Sequence, residues 1–518
     1  MRIPRLFLTV ILIVELAACS LPPVQTNQPG PLPPDYWPTH GWQTSTPEQQ
    51  GMDSGKLADM MDFIQAQAIN LHSLLVIRNG YIVLEAYANP YGPQVRHTVE
   101  SNTKSIIGSL IGIAIEQGKI QNAEQRMVSF FPERMLRNSG GQKEAINLDH
   151  LLTMTSGLDC ADNSPVAQEM YTQANWVGYL LDLPVITAPG EKWAYCSGSA
   201  HILSAVLQET TGSTARDYAN QNLFQPLGIS EVNEQDWMPD PKGISNGIAG
   251  LYLTPRELAK FAFLYLQRGR WEEKQVLPAT WIDGSTQGRV DIGKDDYSAG
   301  LFRQFGYLFS IFPEQKFYGY LGMAGQDLFV VPEKNLVIVF TSGLKAGEEG
   351  HLLPLLTDYI LPAAQSAGPI SSGPEGEKRL HSSLDLFQNP IQAVTALPQT
   401  AFAIQERVFH FEQNPLGWDS LAFSFAQGAN QATVRFNDTT DLKIGLDNRF
   451  RLSESPNSRP IGMRGRWSEA NTFSLDYIIL GEFREQAITL QFNEDRLAVT
   501  IQDKNFDSEP IRIAGRVQ

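Results

Sequence analysis

The spacing of apolar positions changes several times along the chain and predicts different elements in each stretch. A helix-like pattern at residues 55–64 is followed by two β-rich runs that flank Asn79-Gly80, a strong signal for a hairpin turn. Residues 101 to about 285 have the periodicity of helices and loops, whereas residues 317–341 return to strands. The pattern therefore predicts strands at both ends of this region and a mostly helical segment between them.

The C-terminal part of the chain has a different period. Residues 365 to about 395 are rich in Ser, Gly and Pro, which predicts a linker. Beyond it, apolar and polar residues alternate over short runs whose spacing is typical of an all-β sandwich or small barrel. The clearest runs are Thr433–Phe436, Leu442–Leu446, Phe473–Tyr477, Ala487–Phe492 and Leu497–Ile501. We therefore expect a linker at residues 365–398 and a β-rich domain without a catalytic motif at residues 399–518.

The first residues have the pattern of an export signal. A positive start is followed by an apolar run at residues 6–14, which is too short for a comfortable membrane span. Leu16-Ala17-Ala18-Cys19 resembles a bacterial lipobox, which implies a signal peptide at residues 1–18 and a lipoprotein anchored through Cys19 at an outer membrane or the cell surface. Seven prolines predict a stiff tether over residues 19–45. An ordinary signal peptide with a chance cysteine is the alternative.

Composition limits the classes of partner. The 518 residues are 42% hydrophobic and 19% charged, which is typical of folded domains rather than of disordered chains. The formal net charge of −16 repels phosphate backbones, so we expect no nucleic-acid partner. His, Cys and Asp residues do not recur at the spacings of a metal site, and we expect neither a metal nor a cofactor.

Ser101 and Lys104 form the first candidate catalytic motif. They open an apolar, helix-like run, and residues three positions apart in a helix share one face. A serine hydroxyl becomes a good nucleophile only when a neighbour takes its proton or stabilises its anion, and a lysine whose pKa is lowered by burial can do either. Because a single Ser-x-x-Lys motif also occurs by chance as a polar helix start, the assignment depends on further motifs.

Two later stretches supply such motifs. Tyr195-Cys196-Ser197 follows a Pro-Gly turn and precedes an apolar run that predicts a helix, so a loop-borne tyrosine can reach across a cleft. Residues 320–326 precede further strand-like residues, and the small side chains of Gly322, Ala324 and Gly325 allow a ligand to approach the backbone. Taken alone, each stretch is better explained by a structural role, as a core tyrosine or as strand glycines.

Together the three motifs resemble those of the serine β-lactamase and penicillin-binding-protein superfamily, in its class C or carboxypeptidase-like branch. Three flanking stretches resemble the same branch, namely Leu151–Leu158, Leu223–Ile229 and Gly250–Ala259. The resemblance covers about residues 46–362 and implies one hydrolase domain at residues 46–364. The implied fold is α+β: an antiparallel sheet built from both ends of the domain, flanked by helices, with an all-helical insert. The nucleophile would lie where sheet and insert meet.

The resemblance also implies roles for individual residues. Ser101 would attack a carbonyl to form an acyl-enzyme, and Lys104 and Tyr195 would share the proton transfers, with the identity of the base left open. The backbone N–H groups of Ser101 and Gln326 would form the oxyanion hole. The expected substrate-binding residues are Ser197, Met323, Ala324 and Gly325.

Two positions depart from the family pattern. Ser197 stands where an asparagine is usual, and its hydroxyl lacks the paired donor and acceptor of an amide. Met323 stands where a lysine or histidine usually meets a substrate carboxylate. Both changes favour an esterase or amidase on less charged, small-molecule or peptide-like substrates over a β-lactamase or a D-Ala-D-Ala carboxypeptidase. A non-catalytic binding module, or a sensor that is acylated without turnover, is the competing class of function.

Cys160 and Cys196 raise a further structural question. In related folds both regions approach the cleft, and an oxidising exterior permits a disulfide, which would brace Tyr195. Two buried free thiols are the alternative.

Two other motifs compete with Ser101 for a catalytic interpretation. Residues 243–247 fit the Gly-x-Ser-x-Gly pattern of α/β-hydrolases, but no strand-like run precedes them, so we interpret the match as chance. His97 lies just before Ser101, and we expect a hydrogen-bonded loop histidine rather than a catalytic partner.

Overall fold

The computed structural model describes residues 34–133, 140–294, 300–405, 407–455 and 459–517. The predicted signal peptide, the lipidation site Cys19 and the first part of the predicted tether lie outside the described residues. In the described ranges, no helix combines the length and the apolar composition that crossing a membrane requires. The helices are α1 (Ser54–Ala66), α2 (Asn102–Glu116), α3 (Gly141–Ala145), α4 (Leu148–Leu152), α5 (Pro165–Glu169), α6 (Trp176–Asp182), α7 (Ser197–Thr211), α8 (Ala215–Ala219), α9 (Pro255–Leu266), α10 (Ala279–Ser285), α11 (Leu361–Ala363), α12 (Pro374–Gln388) and α13 (Gln399–Ala403).

The strands belong to two large sheets and two short pairs. They are β1 (Leu71–Arg78), β2 (Tyr81–Tyr87), β3 (His97–Thr98), β4 (Tyr252–Leu253), β5 (Arg270–Trp271), β6 (Lys274–Gln275), β7 (Val290–Asp291), β8 (Gln304–Phe305), β9 (Ser310–Phe312), β10 (Phe317–Gly322), β11 (Gln326–Val331), β12 (Leu336–Ser342), β13 (Val408–Phe411), β14 (Ser420–Ser424), β15 (Gln431–Phe436), β16 (Thr440–Gly445), β17 (Arg451–Ser453), β18 (Ile461–Glu469), β19 (Thr472–Ile479), β20 (Glu485–Asn493), β21 (Arg496–Asp503) and β22 (Ile511–Val517).

An antiparallel sheet in the order β2-β1-β12-β11-β10-β9-β8-β7 forms the centre of the first domain. Asn79 and Gly80 form the predicted turn between β1 and β2, and both have the left-handed backbone conformation that such a turn requires. β12 pairs with β1 along most of its length, so strands from both ends of the domain share one sheet. The helices α2 to α10 come between these two groups of strands. The predicted α+β architecture with a helical insert is confirmed.

Helix α2 lies between the sheet and the insert. It packs against β10 and β11 of the sheet and against α7 and α8 of the insert. Every residue from Asn102 to Ala114 is buried, because apolar and small side chains surround the whole helix axis. This burial holds the first turn of α2, and the residues that open the helix, at the junction of sheet and insert.

The predicted linker contains an ordered helix. α12 packs against α1 and β2 of the first domain. Its apolar residues Leu380, Leu384 and Phe387 contact the core of that domain at helical spacing. The stripe is short and lies among charged, Ser- and Gly-rich residues, which explains why composition alone predicts a linker here.

The described end of the predicted tether, residues 34–45, also packs on the first domain. The rings of Trp37 and Trp42 lie 6.1 and 5.6 Å from the ring of Phe263. The hydroxyl of Tyr36 donates a hydrogen bond to the carbonyl oxygen of Gly80 at 2.7 Å. The prediction of an extended tether is wrong for these residues, because their aromatic side chains bury apolar surface that a tether would leave in water.

The C-terminal domain is a closed β-barrel of ten strands, β13 to β22. Its antiparallel order is β16-β15-β14-β13-β22-β21-β20-β19-β18-β17, and a parallel pairing of β16 with β18 closes it. Inward-facing residues such as Phe409, Phe473 and Leu490 form a core separate from that of the first domain. The five predicted alternating runs overlap β15, β16, β19, β20 and β21. Of the two predicted architectures, the barrel is the correct one.

One end of the barrel contacts the first domain. In the loop between β19 and β20, the carbonyl oxygen of Gly481 accepts a hydrogen bond from the backbone N–H of Thr98 at 2.8 Å. In the loop after β21, Asn505 Nδ2 donates to the carbonyl oxygen of Gly343 at 2.8 Å. Between these loops, Glu485 Oε1 accepts from Asn70 Nδ2 at 2.9 Å. The barrel is therefore held against the segment that leads into α2.

We predict that Gly481→Ala destabilises the protein much more than Gly428→Ala. Both glycines have left-handed backbones, with φ of 90° and 74°, so alanine costs about 1 kcal/mol at either position. A Cβ atom on Gly481 would lie 2.3 Å from the carbonyl oxygen of Arg96, whereas one on Gly428 would have no described atom within 4 Å. Thermal unfolding followed by circular dichroism should give the larger loss of Tm for Gly481→Ala. Equal losses would contradict the close packing of this loop.

Candidate active site

The side chains of Ser101 and Lys104 meet at the N-terminus of α2. Ser101 is the capping residue and has a helical backbone conformation, and Lys104 follows one turn later on the same face. Lys104 Nζ lies 2.9 Å from Ser101 Oγ, within hydrogen-bonding distance. It also donates to the carbonyl oxygen of Ile248 at 2.8 Å. The structure thus brings the two residues of the first motif into direct contact.

The surroundings of Lys104 change its acidity. Its side chain is fully buried. Burial lowers the pKa of Lys104 to about 8, while the nearby carboxyl groups of Asp162 and Glu100 act in the opposite direction. An amine that titrates close to neutral pH can accept the proton of a serine hydroxyl and later return it.

Glu100 is an acid directly before Ser101 that the sequence-based prediction missed. It has a left-handed backbone, with φ of 45°, which is rare for a residue with a side chain. Its carboxyl group accepts a hydrogen bond from Thr98 Oγ1 at 2.6 Å. Burial raises the pKa of Glu100, and the Thr98 hydroxyl and the Lys104 charge partly offset that rise. A strained residue at this point is typical of a functional site.

Tyr195 lies beside Lys104 and contacts a second tyrosine. The Lys104 Nζ atom is 5.3 Å from the centroid of the Tyr195 ring. The hydroxyl groups of Tyr195 and Tyr320 are 2.9 Å apart, so one donates to the other. Tyr320 lies on β10 and is buried. Its role could not be predicted from sequence, because a tyrosine on a buried strand is typical of a core residue.

Ser197 binds a carboxylate that the sequence-based prediction also missed. Its backbone N–H and its hydroxyl donate to the two carboxylate oxygens of Asp162, at 2.7 and 2.5 Å. The backbone N–H of Asp162 in turn donates to the carbonyl oxygen of Tyr195 at 2.9 Å. Ser197 and Asp162 together therefore place a carboxylate next to the segment that carries Tyr195.

A disulfide joins Cys160 to Cys196. Cys196 lies between Tyr195 and Ser197, and Cys160 lies two positions before Asp162. Of the two alternatives from the sequence, the structure has the disulfide rather than two free thiols. The bond and the hydrogen bonds of Asp162 hold the same two segments together. Asp162 could have been identified from the sequence by its position two residues after Cys160.

The loop between β10 and β11 carries the remaining candidate residues. Ala324 and Gly325 have left-handed backbones, and a Cβ atom on Gly325 would lie 2.2 Å from Ser342 Oγ. This contact admits only glycine at position 325. Met323 is 46% exposed, whereas Ala324 is buried. Met323 is therefore the candidate in this loop whose side chain is available to a ligand.

Gln326 contacts the first turn of α2. Its side chain is fully buried and donates to the carbonyl oxygen of Ser342 at 2.7 Å. Its own carbonyl oxygen accepts a hydrogen bond of 2.6 Å from the side-chain amide of Asn102, the residue after Ser101. The loop is thus tied to the start of α2. A Gln326 N–H in the oxyanion hole stays a prediction.

The two competing motifs have structural roles. Ser245 Oγ accepts a hydrogen bond from the backbone N–H of Arg216. The loop around Ser245 packs tightly on α7, since a Cβ atom on Gly247 would lie 2.4 Å from the carbonyl oxygen of Ala200. This packing brings the following residue, Ile248, to Lys104. His97 is buried and its two ring nitrogens contact His72 and the carbonyl oxygen of Thr98.

The described part of the chain contains no group of three or more His, Cys, Asp or Glu residues arranged to hold a metal ion.

Comparison with known proteins gives one family and one fold. The Beta-lactamase family profile matches residues 49–356. The 6-aminohexanoate-dimer hydrolase of Paenarthrobacter ureafaciens is 22% identical over 311 residues, which cover 57% of this chain and 78% of that protein.

Two solved structures resemble the first domain. The putative 6-aminohexanoate-dimer hydrolase from Bacillus anthracis aligns with a TM-score of 0.50 and 18% identity, over 62% of this chain and 87% of its own. EstCE1, a hydrolase with promiscuous acyltransferase activity, aligns with a TM-score of 0.51 and 16% identity, over 60% of this chain and 99% of its own. At these identities the structures establish the fold alone.

We predict that Cys160→Ala, Cys196→Ala and the double variant lose the same free energy of unfolding. Each change breaks the same bond, which closes a sequence separation of 36 residues, and the loss should be about 4 kcal/mol at most. Urea unfolding of the three variants and of the wild type measures this loss of free energy of unfolding. Two small, additive losses would indicate independent thiols and contradict the disulfide.

Proposed function

Because the chain belongs to the Beta-lactamase family, we propose that it is a serine hydrolase that cleaves ester or amide bonds through an acyl-enzyme on Ser101. One observation carries this proposal: the fully buried Lys104 amine lies 2.9 Å from the Ser101 hydroxyl. Burying an ammonium group destabilises a fold unless the group is well paired. A lysine placed in this way, with a perturbed pKa and beside a hydroxyl, is typical of a functional site.

In the acylation step, Ser101 Oγ attacks the carbonyl carbon of the substrate. The hydroxyl proton passes to the Lys104–Tyr195 pair, which then protonates the leaving alcohol or amine. Water next attacks the acyl-enzyme and loses its proton to the same pair, which returns a proton to Ser101 Oγ as the carboxylic acid leaves. The contact with the Tyr320 hydroxyl supports a positioning role for Tyr320 toward Tyr195.

The negative charge on the carbonyl oxygen needs a stabilising site in this mechanism. The backbone N–H of Ser101 lies at the N-terminus of the 15-residue helix α2, where the helix dipole favours a negative charge. The second donor in this proposal comes from the loop that ends at Gln326. The hydrogen bond from Asn102 to Gln326 supports that assignment, because it ties the loop to the nucleophile's helix.

The environment of the site favours esters and amides over β-lactams. The exposed side chains of Met323 and Tyr171 present apolar surface, and Tyr171 lines a recess together with Asp162 and Ser197. The Ser197 hydroxyl is engaged by Asp162 and does not replace an asparagine amide. That a family member is named as a hydrolase of 6-aminohexanoate dimers supports hydrolysis as the activity.

A fluorophosphonate probe tests the nucleophile. We expect mass spectrometry to find one adduct on Ser101 in the wild type, no adduct in Ser101→Ala, and turnover of p-nitrophenyl esters only by the former. Ser105→Ala is the matched control, because Ser105 lies on the same helix but its hydroxyl donates to the carbonyl oxygen of Leu308. Folded protein with neither adduct nor turnover would favour a binding module. An adduct without ester turnover would favour an acylated sensor.

We predict that ester turnover increases with pH up to about pH 8. Only the neutral form of Lys104 can accept a proton, and its pKa of about 8 leaves most of it protonated at pH 7. The ratio kcat/KM should therefore rise about tenfold per pH unit well below pH 8 and then level off. Lys104→Arg should be inactive throughout, because a guanidinium stays protonated. A flat profile from pH 6 to pH 9 would exclude Lys104 as the titrating group.

A further inference from the structure

The carbonyl oxygen of Ile248 orients the Lys104 amine. A neutral amine has one lone pair, and it can take the serine proton only when that lone pair points at Ser101 Oγ, 2.9 Å away. Lys104 Nζ also donates a hydrogen bond of 2.8 Å to the Ile248 carbonyl oxygen. This bond fixes the rotation of the amine about the Cε–Nζ bond, so that the lone pair can be held toward the serine hydroxyl. The position of Ile248 therefore bears directly on the proposed proton transfer.

His201 holds the residue before Ile248. It lies on α7 and is fully buried. Its ring nitrogen Nδ1 accepts a hydrogen bond of 3.3 Å from the backbone N–H of Gly247. Residues 246–248 form one turn, because Asn246 Oδ1 accepts a hydrogen bond of 2.9 Å from the backbone N–H of Ile248. A displacement of Gly247 would therefore also displace Ile248.

Asp240 determines the form in which His201 binds this turn. His201 Nε2 lies 3.2 Å from Asp240 Oδ2, and neither side chain is accessible to solvent. Since Nδ1 accepts the N–H of Gly247, the ring is neutral and carries its proton on Nε2, from which it donates to the carboxylate. Burial acts to raise the pKa of Asp240, but hydrogen bonds from His201 and from two backbone N–H groups outweigh burial and lower this pKa. The ionised carboxylate thus keeps Nδ1 of the ring unprotonated.

Helix α7 supports the turn at a second point. Ser204, one helical turn after His201, donates a hydrogen bond of 2.6 Å to the carbonyl oxygen of Ser245. Both contacts hold residues 245–247, which directly precede Ile248. Of the two, the contact of His201 is the one adjacent to Ile248.

We propose that His201 is a positioning residue for the Lys104 amine. It holds Gly247 through an acceptor nitrogen, so that the Ile248 carbonyl oxygen stays within hydrogen-bonding distance of Lys104. Asp240 keeps that nitrogen unprotonated. The proposal rests on the hydrolase function above and adds two buried residues to the support of the catalytic pair.

Two substitutions of His201 separate the acceptor nitrogen from the rest of the ring. His201→Gln places an amide nitrogen near the position of Nε2, where it can donate to Asp240, and leaves the N–H of Gly247 unpaired. His201→Asn places an amide oxygen near the position of Nδ1, where it can accept from Gly247. NMR of protein labelled with 13C at lysine Cε gives the titration midpoint of Lys104 in each variant without any substrate.

We expect His201→Gln to lower the Lys104 midpoint by about one pH unit, because a hydrogen bond to a carbonyl oxygen stabilises an ammonium group more than a neutral amine. The plateau of kcat/KM for p-nitrophenyl esters should also fall about tenfold, because the lone pair is no longer held toward Ser101. His201→Asn should keep the wild-type midpoint. The titratable groups near Lys104 stay the same in all variants, namely Tyr195, Asp162 and Glu100.

Asp240→Asn tests the tautomer with almost no change in side-chain volume. Two backbone N–H groups already bind Oδ1, at 2.8 and 2.9 Å, so the new amide NH2 would face His201 Nε2. The ring would then carry its proton on Nδ1, opposite the N–H of Gly247. We expect the same fall of the Lys104 midpoint as in His201→Gln, and this variant gives the result if His201→Gln does not fold.

His150→Gln is the matched control. His150 Nδ1 also accepts a backbone N–H at 3.3 Å, from Asn147 at the start of α4, and its loss should leave the Lys104 midpoint unchanged. An unchanged midpoint in His201→Gln and Asp240→Asn would overturn the positioning role. A shift of the same size in His201→Asn or in the control would overturn it as well, since the acceptor nitrogen would not be the cause.

The NMR midpoint also separates this proposal from the hydrolase function. An unchanged midpoint in a wild type that hydrolyses esters would contradict the positioning role alone. A shifted midpoint in His201→Gln, in a protein whose wild type hydrolyses no ester, would support the positioning of Lys104 and contradict hydrolysis.

Discussion

The burial of the Lys104 amine against the Ser101 hydroxyl is the constraint on which the rest of the site depends. The Lys104 amine is excluded from solvent because α2 is buried on every side, between β10 and β11 of the sheet and α7 and α8 of the insert. One polar partner, the Ile248 carbonyl oxygen, reaches it from a loop that packs tightly on α7. The partial compensation by Asp162 and Glu100 leaves the pKa of Lys104 lowered but still near neutral pH. The fold thus keeps the amine able to exchange a proton.

A disulfide and several hydrogen bonds fix the segments on either side of Ser101 and Lys104. On the insert side, the Cys160–Cys196 disulfide and the carboxylate of Asp162 fix the segment of Tyr195 and Ser197. On the other side, the barrel loop at residues 480–484 is bonded to the lead-in of α2. The C-terminal domain therefore contacts the segment before α2, because Gly481 accepts a hydrogen bond from the backbone of Thr98, three residues before Ser101.

Local patterns were sufficient for part of the site and the fold. Ser101 and Lys104 are one helical turn apart, so spacing alone places them on one face. The turn at Asn79-Gly80 and the alternating runs of the barrel are likewise set by residues close in sequence. These features were predicted correctly because neighbouring residues determine them.

Contacts between distant residues could not be predicted in this way. Tyr195 meets Tyr320 across a separation of 125 residues, and Gly481 meets Thr98 from another domain. Such pairs are fixed by strand order and domain docking, which composition and periodicity do not encode. The helix α12 was missed for a different reason, since its short apolar stripe lies within a segment whose composition is typical of a linker.

The most direct test of this account is the titration of Lys104 itself. Protein labelled with 13C at lysine Cε can be titrated by NMR, and the resonance of Lys104 is identified by its loss in Lys104→Arg. The account predicts a midpoint close to pH 8, well below the ordinary value of 10.5. A midpoint near 10.5 in folded protein would show that the amine is solvated and protonated at neutral pH. It would contradict the proton-transfer role on which the proposed function rests.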